Sequence, residues 1–144
     1  MKLNVANNTW QQFKMDEAKA THACIFFNNK VIVAGGSDGS SYSNSTLIID
    51  VGVDDLKIRQ AGDMNKKRWN LGLGILSILE VPTVVAFGGS DAYYNGFHDS
   101  VEIWNDTSET WELSTNLTLG VPKVQIGFAT VATKLVCPDT MNDN

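Results

Sequence analysis

The chain has 144 residues and carries 11 basic against 16 acidic side chains, so its formal net charge is −5. A chain of this length usually forms one domain, and its 43% hydrophobic content is too high for a disordered protein. The acidic balance argues against nucleic acid as a partner, because affinity for phosphate depends on lysine and arginine. No apolar run reaches the ~18 residues of a membrane span, and residues 1–12 lack the apolar centre of a signal peptide. We therefore expect neither nucleic acid nor a membrane as a partner.

Two sets of four short strands are predicted along the chain. In the first set, apolar and β-branched runs lie at 22–27, 31–34, 47–51 and 56–60. In the second set, they lie at 71–79, 83–87, 101–104 and 111–114. A turn at 28–29 joins the first two strands of the first set and a turn at 80–82 those of the second, since asparagine and proline favour turns. No stretch has sustained helical spacing, so the pattern predicts an all-β fold.

Two sequence markers repeat along the chain. The segment VIVAGGSD at 31–38 recurs as VVAFGGSD at 84–91, with the doublets Gly35-Gly36 and Gly88-Gly89. An apolar residue followed four positions later by a basic one precedes each doublet and occurs again near the end of the chain: Met15 and Lys19, Met64 and Arg68, Leu119 and Lys123. Markers that shift together by about 50 residues indicate internal repeats.

The order of features in each unit resembles the Kelch repeat. A glycine doublet follows an apolar strand, and a third strand and then an aromatic residue near a tryptophan come after it. The second unit carries the doublet at 88–89, then Trp104 and Trp111. The first unit departs from this pattern, because Asp50 and Leu56 stand at the two aromatic positions. The resemblance implies an all-β, partial Kelch β-propeller with about two four-stranded blades plus flanking strands.

The resemblance also implies how the chain is divided. Residues 1–17 are the last strand of a preceding repeat (10–14), 18–67 and 68–122 are Kelch repeats, 123–136 are the first strand of a further repeat or a closing strand (124–131), and 137–144 are a disordered tail. A propeller closes with about four to eight blades. We therefore expect a piece of a larger propeller, whose open strand edges favour self-association.

Each repeated marker has a physical role in such a fold. Glycine lets two backbones approach closely and adopts torsions that other residues avoid, which explains the doublets at 35–36 and 88–89. A large aromatic side chain on the fourth strand, Trp111 in the second unit, is expected to cover the blade face and pack against its neighbour. Arg68 either bridges adjacent blades or is a solvated surface charge.

The chemistry-bearing residues do not form a recognisable catalytic or metal motif. His98 lies beside Asp99, but no nucleophile motif accompanies them, and His22 opens a strand, where a structural role is expected. Cys24 and Cys137 lack the close spacing of zinc ligands and are either core thiols or one disulfide. The copper ligands of galactose oxidase, a Kelch-like enzyme, are not reproduced. We therefore expect no catalysis, no cofactor and no metal.

Partner binding is predicted in the loops that follow the doublets and in the connection between the two repeats. Aromatic side chains in a polar loop supply contact area at low entropic cost. The alternatives are that the aromatic rings cover the underside of their own loop and that the basic residues form a solvated turn; Phe97 is expected to pack. The candidate partner-binding residues are Asp38, Tyr42, Lys66, Lys67, Trp69, Tyr93, Tyr94 and His98.

The resemblance implies a protein–protein interaction module, either the substrate-recruiting propeller of a ubiquitin-ligase adaptor or an actin-associated Kelch protein. The alternatives are a secreted Kelch-like enzyme or glycan-binding propeller, and a truncated paralogue without independent function. Four glycosylation sequons, at Asn7, Asn44, Asn105 and Asn116, are compatible with secretion or with chance. We expect a cytoplasmic protein, with secretion as the alternative.

Overall fold

The protein is described by a computed structural model over residues 2–4, 8–12, 15, 18–51 and 57–126. Every regular element within these ranges is a β-strand. The strands are β1 (Lys2–Asn4), β2 (Thr9–Gln11), β3 (Ala23–Phe27), β4 (Lys30–Ala34), β5 (Thr46–Asp50), β6 (Lys57–Gln60), β7 (Gly72–Ile78), β8 (Val81–Phe87), β9 (Ser100–Asn105) and β10 (Thr110–Thr118).

The strands form two four-stranded antiparallel sheets and one short hairpin. Strands β3 to β6 pair in chain order to give the first blade, and β7 to β10 pair in chain order to give the second blade. Strand β1 pairs only with β2 among the described strands. The all-β architecture with two four-stranded blades is therefore confirmed.

The hairpin turn of the second blade was predicted in the wrong place. The turn consists of Leu79 and Glu80, which have φ values of 49° and 66°, and β8 already begins at Val81. Two consecutive positive φ values match the twist of the flanking strands, as they do at Asn28 and Asn29 in the first blade. Pro82, which suggested a turn, pairs with Ser77 inside the hairpin instead.

Several predicted segments lie at the limits of the described residues. Strand β6 begins at Lys57, and Leu56 lies outside the described residues. Strand β2 covers the start of the predicted strand at 10–14. The described part of the predicted strand at 124–131, residues 124–126, forms no strand, and the tail at 137–144 with Cys137 lies outside the described residues.

The hydrophobic core lies between the two blades. One face of the first blade meets one face of the second, and the residues of this contact include Ile32, Ala34, Ile48, Val84, Ala86, Trp104 and Trp111. The indole Nε1 of Trp111 donates a hydrogen bond of 2.9 Å to Thr46 Oγ1 across the contact. The expectation that the aromatic residue of the fourth strand packs against the neighbouring blade is confirmed.

The pairing register corrects the sequence alignment of the two repeats. Ile32 pairs with Ile48 in the first blade, and Val85 pairs with Ile103 in the second. Ile32 and Val85 stand equally far before their glycine doublets, so their strand partners, Ile48 and Ile103, also correspond. Trp104 follows Ile103, so its counterpart in the first blade is the residue after Ile48, which is Ile49 and not Asp50. A slip of one residue reverses the face that a strand residue occupies, so the aligned Asp50 was wrong.

Arg68 bridges the blades, and the alternative of a solvated charge is wrong. It lies in the connection between β6 and β7, and its side chain is fully buried. Its guanidinium donates hydrogen bonds to Gly88 O at 2.6 Å, to Ser100 O at 3.1 Å and to Glu102 Oε1 at 3.0 Å, all in the second blade. Its backbone N–H donates to Ser43 O of the first blade at 3.0 Å.

The glycine doublets make room for the chain segment that connects successive blades. Gly35 and Gly88 have φ values of +67° and +63°. A Cβ atom on Gly35 would lie 2.2 Å from Arg68 O, and one on Gly88 would lie 2.6 Å from Lys123 O. The same backbone approach therefore occurs in both repeats, and only glycine allows it.

The second blade has a second apolar face, opposite the one that packs against the first blade. Val85, Phe87 and Val101 form its centre, and Leu76, Leu117 and Leu119 help to line a groove of about 230 Å³ on it. The corresponding face of the first blade packs against the second blade. This face is therefore the surface on which a further blade would pack.

A cluster of ion pairs joins the blades away from the glycine doublets. Glu109, in the β9–β10 turn, accepts hydrogen bonds from Arg59 Nη1 and, at 2.7 Å and 3.1 Å, from Arg59 Nη2 and Lys30 Nζ of the first blade. Asp106 accepts from Lys30 Nζ at 3.1 Å. The hydrogen bonds from Arg59, together with Lys30, lower the pKa of Glu109 to about 2.

Replacing Gly88 by alanine is expected to destabilise the chain much more than replacing Gly120. Both glycines have positive φ, +63° and +74°, but a Cβ atom at Gly88 would lie 2.6 Å from the backbone oxygen of Lys123, whereas a Cβ atom at Gly120 meets nothing within 4 Å. We expect G88A to lower the free energy of unfolding by about 2–4 kcal/mol and G120A by about 1 kcal/mol. Urea denaturation measures both, and equal losses would contradict the close approach at the doublet.

The ion-pair cluster predicts a specific pH dependence of stability. Because the pKa of Glu109 is about 2 in the folded chain and 4.5 for an ordinary glutamate, its ionised form stabilises the fold above pH 4.5, and this stabilisation is lost as the pH falls towards 2. We expect Glu109→Gln to cost about 1 kcal/mol at neutral pH, since the pair with Arg59 is partly exposed. Urea titrations from pH 7 to 2 measure this difference. If the difference in unfolding free energy between the wild type and Glu109→Gln stayed constant down to pH 2, the lowered pKa of Glu109 would be contradicted.

Candidate functional site

Three loop segments lie side by side at one end of the blades. They are the loop at 37–45 of the first blade, the connection at 61–71 between the blades and the loop at 90–99 of the second blade. Trp69 and Ser90 exchange backbone hydrogen bonds of 2.9 Å and 3.1 Å, which tie the connection to the second loop. The Arg68 N–H bond to Ser43 O ties the connection to the first loop. The three segments that carry the candidate partner-binding residues therefore lie together at one end of the blades.

Four aromatic residues from these three segments form a continuous row. Tyr42 stacks on Trp69 with ring centroids 5.4 Å apart and an interplanar angle of 15°. Trp69 stacks on Tyr93 at 6.0 Å and 8°, and Tyr93 meets Tyr94 edge-on at 4.7 Å. We call Tyr42, Trp69, Tyr93 and Tyr94 the aromatic row. Each loop segment contributes to it, so the row depends on the correct packing of both blades.

The aromatic row is buried at one end and exposed at the other. Tyr93 is 63% exposed and Tyr94 is 83% exposed, whereas Tyr42 and Trp69 are half-buried. Trp69 Nε1 is buried and has no hydrogen-bond partner among the described residues. Phe97, which was expected to pack, is 44% exposed. The rings of Tyr93 and Tyr94 thus do more than cover the underside of their own loop.

A polar depression of about 530 Å³ adjoins the buried end of the row. Tyr42 belongs to both features. Charged side chains of both signs line the depression, namely Lys19, Asp38, Asp63 and Lys67, together with serine, asparagine and glutamine side chains. The surface therefore offers aromatic contact area next to a concave set of hydrogen-bonding groups, as binding sites commonly do.

Asp38 organises the first loop. Its Oδ1 accepts backbone hydrogen bonds from Ser40 at 2.8 Å and from Ser41 at 2.7 Å. These N–H groups, with the Ser41 bond the strongest contributor, hold the pKa of Asp38 well below its usual range. Asp38 is exposed and lines the depression, so its carboxylate shapes the loop and faces the candidate site.

His98 lies beneath the loops rather than on their surface. Its side chain is buried, and its Nε2 lies 3.2 Å from Lys67 O and 3.8 Å from Asp91 Oδ2. Burial, reinforced by the positive charges of Arg68 and Lys66, lowers the pKa of His98. His98 therefore links the connection between the blades with the second loop. Its candidate role, direct contact with a partner protein, does not fit a buried ring.

The two lysines of the connection have different surroundings. The Lys67 side chain is exposed and lines the depression. Lys66 is half-buried, and its backbone N–H donates to Glu102 Oε1 at 3.2 Å. Of the two, Lys67 is therefore better placed to meet a partner.

Glu102 positions the connection and was missed by the sequence analysis. Its fully buried carboxylate accepts hydrogen bonds from the backbone N–H and the side-chain Nδ2 of Asn65 at 2.6 Å and 2.9 Å, and from Arg68 Nε. A buried carboxylate is tolerated when its oxygens are satisfied in this way. The alternation of the strand sequence would place Glu102 on the outward face. Only its contacts in the folded chain show that it holds the connection between the blades.

The described residues contain no group of three or more His, Cys, Asp or Glu side chains that could hold a metal ion. His22 is exposed, and its Nδ1 lies 3.1 Å from Lys19 O. Cys24 is an exposed free thiol, so its prediction as a core thiol or a disulfide partner was wrong. The strand alternation explains this, because Ala23, Ile25 and Phe27 occupy the other face of β3. No helix long and apolar enough to cross a membrane occurs in the described ranges.

Comparisons with known proteins agree with this architecture. Residues 18–54 match the family model described as the Kelch motif. A solved structure of a fungal alcohol oxidase of the AA5 family, in complex with copper, is similar with a TM-score of 0.61 at 13% identity, over 74% of this chain and 24% of that one. A solved structure of YjhT is similar with a TM-score of 0.55 at 16% identity, over 67% of this chain and 27% of that one. Among curated proteins, none matches.

Residues 18–54 carry the Kelch motif, and the two four-stranded antiparallel blades are consistent with part of a Kelch-type β-propeller. It spans about a quarter of the length of the two solved structures. At these identities the likeness concerns the fold alone. Function therefore has to be argued from the surface that the loops form.

Proposed function

We propose that this chain is a protein-interaction module that captures a peptide segment of a partner protein on the aromatic row and the adjoining depression. The observation that carries the proposal is the row itself, which three separate loop segments build and which leaves Tyr93 and Tyr94 exposed. Tyrosine gives large contact area for few rotatable bonds, and exposed aromatic rings beside polar groups are typical of interaction surfaces. Kelch repeats commonly mediate protein interaction.

At a finer level, we propose a cytoplasmic, non-catalytic role in substrate recruitment for a ubiquitin ligase or in association with actin. The burial of His98 and its contact with Lys67 O support a structural role for this histidine rather than a catalytic one. Asn44 Nδ2 donates a hydrogen bond of 2.8 Å to Met64 O, so a glycan on this sequon would disrupt the loop. The sequons at Asn105 and Asn116 are exposed and keep the secreted alternatives, an enzyme or a glycan-binding propeller, open to test.

The aromatic row predicts that the double variant Tyr93→Ala/Tyr94→Ala loses peptide binding while its stability barely changes. Peptides selected from a display library on the wild-type chain would be titrated by isothermal calorimetry. The matched control is Leu79→Ala/Val81→Ala, which removes two exposed apolar side chains (93% and 61% exposed) at the β7–β8 turn. We expect the tyrosine variant to weaken binding by about 2 kcal/mol or more and the control to bind normally.

Three results would contradict this assignment. They are equal binding by the two double variants, a library that yields no peptide ligand, and a large fall in melting temperature of the tyrosine variant, which would make these rings part of the core. Cooperative thermal unfolding of the wild-type chain would also argue against a truncated paralogue without independent function.

We propose self-association as a second role, because an apolar groove of about 230 Å³ lies on the face of the second blade around Phe87 and Val101. The packing of the first blade against the second shows how another copy of the chain would cover this face. Self-association, which the sequence analysis expected at open strand edges, is therefore proposed at a blade face instead.

Self-association predicts that the sedimentation coefficient of the wild-type chain rises with concentration. Leu117 lines the groove on the open face and is 37% exposed, so Leu117→Glu is expected to abolish this rise without unfolding the chain. Leu113→Glu is the control, since Leu113 is 44% exposed on the same strand and does not line the groove. A wild-type chain that stays monomeric at high concentration would refute the proposal.

A further inference from the structure

The loop that carries Tyr93 and Tyr94 continues with the dipeptide Asn95-Gly96. This is the one Asn-Gly pair in the 144 residues. Asn95 is exposed, and no hydrogen bond of its side chain or of the Gly96 N–H occurs among the described contacts. A reactive dipeptide therefore lies directly beside the exposed end of the aromatic row.

The loop requires the glycine of this pair. Asp91 N–H donates a hydrogen bond of 3.0 Å to Gly96 O and closes the loop. A Cβ atom on Gly96 would lie 2.0 Å from Asp91 Oδ1 and 2.6 Å from Ala92 N. Since the Ala92 backbone and the Asp91 carboxylate occupy this space, a side chain on residue 96 would displace the loop backbone. The packing of the loop and the reactivity of Asn95 thus have the same origin.

Asparagine before glycine undergoes an intramolecular reaction with known products. The Gly96 backbone nitrogen attacks the side-chain carbonyl carbon Cγ of Asn95, because no Cβ on residue 96 hinders the approach. A bond between this nitrogen and Cγ forms, the bond between Cγ and Nδ2 breaks, and the side-chain nitrogen leaves as ammonia with the proton lost by the backbone amide. Water then opens the succinimide at either carbonyl and yields aspartate or isoaspartate. These reaction steps need water and base but no oxidant, reductant or cofactor.

We propose that Asn95 is a site of spontaneous deamidation that alters the binding surface of this chain. The reaction adds one negative charge to a loop that already carries Asp91, which is 47% exposed, and Asp99. The isoaspartate product also lengthens the backbone by one carbon between Tyr94 and the segment that holds His98. The modification site stands on the loop geometry; its effect on binding rests on the proposed function.

The chain contains its own comparison site at Asn44, which precedes Ser45. Asn44 Nδ2 donates a hydrogen bond of 2.8 Å to Met64 O, and Ser45 N–H donates to Ser43 Oγ at 3.0 Å. Both the leaving group and the attacking nitrogen of this pair are therefore restrained. Asn44 is also half-buried, whereas Asn95 is exposed.

Peptide mapping by mass spectrometry tests the modification site. The full chain would be aged at physiological temperature and mildly alkaline pH, and the conversion of each asparagine to its acid would be followed. One hydrogen bond alone corresponds to a rate difference of up to about tenfold. Because two hydrogen bonds restrain the Asn44 site and Ser45 also carries a Cβ, we expect Asn95 to react at least about tenfold faster than Asn44. Fragmentation would show isoaspartate at position 95, and Asn95→Gln would show no conversion there. A rate at Asn95 no higher than that at Asn44 would overturn the proposal.

A second measurement separates the modification from its effect on the surface. Aged wild type and aged Asn95→Gln would be compared for binding of the selected peptides, with Asn95→Asp as a homogeneous aspartate form. We expect aging to weaken binding by the wild type in proportion to its conversion and to leave Asn95→Gln unchanged. Conversion at Asn95 with unchanged binding would overturn the link to the surface. A wild-type chain that binds no peptide even before aging would refute the proposed function instead, while mapping still decides the modification.

Discussion

The buried Arg68 is the interaction on which the arrangement of the two blades depends. Its guanidinium reaches Gly88, Ser100 and Glu102 of the second blade, while its backbone is hydrogen-bonded to the first loop. A buried charge without these partners would cost several kcal/mol, so the blades have to dock with Arg68 and Glu102 aligned. This alignment also holds the connection between the blades, because Glu102 accepts hydrogen bonds from the backbone of residues 65 and 66. The position of Trp69, directly after Arg68, follows from the same contacts.

The aromatic row is a consequence of repetition. Equivalent loops of successive blades emerge at the same end, so Tyr42 and Tyr93 come from corresponding loops and lie on either side of Trp69. Each blade boundary of such a fold can build a surface of this kind, and its chemistry depends on the loop residues rather than on the strands. In this chain the second loop carries the exposed tyrosines and the dipeptide Asn95-Gly96. Residue 96 is glycine because close packing at this position leaves no room for a side chain. The proposed binding surface and the proposed deamidation site therefore share one loop.

The same repetition explains the two contrasting faces of the second blade. One face packs against the first blade through Trp104 and Trp111, and ion pairs of Glu109 and Asp106 with the first blade reinforce the contact. The other face keeps an apolar groove around Phe87. An apolar surface of this kind favours association. The packing within the chain and the proposed self-association therefore use the same kind of contact, blade against blade.

The sequence by itself determined the local elements: the strands, the Asn28-Asn29 turn and the glycine doublets, because alternation, turn chemistry and the need for positive φ are properties of short segments. It also identified the loops that hold the aromatic row. Only the tertiary structure decided the strand register, which shows that Asp50 is not the counterpart of Trp104. It also decided that His98 is buried, that Cys24 is exposed and that Glu102 holds the connection between the blades. These features depend on which strand faces which neighbour and on partners distant in the chain. A sequence pattern records how often residues alternate, but the packing of one blade against another selects the face that is buried.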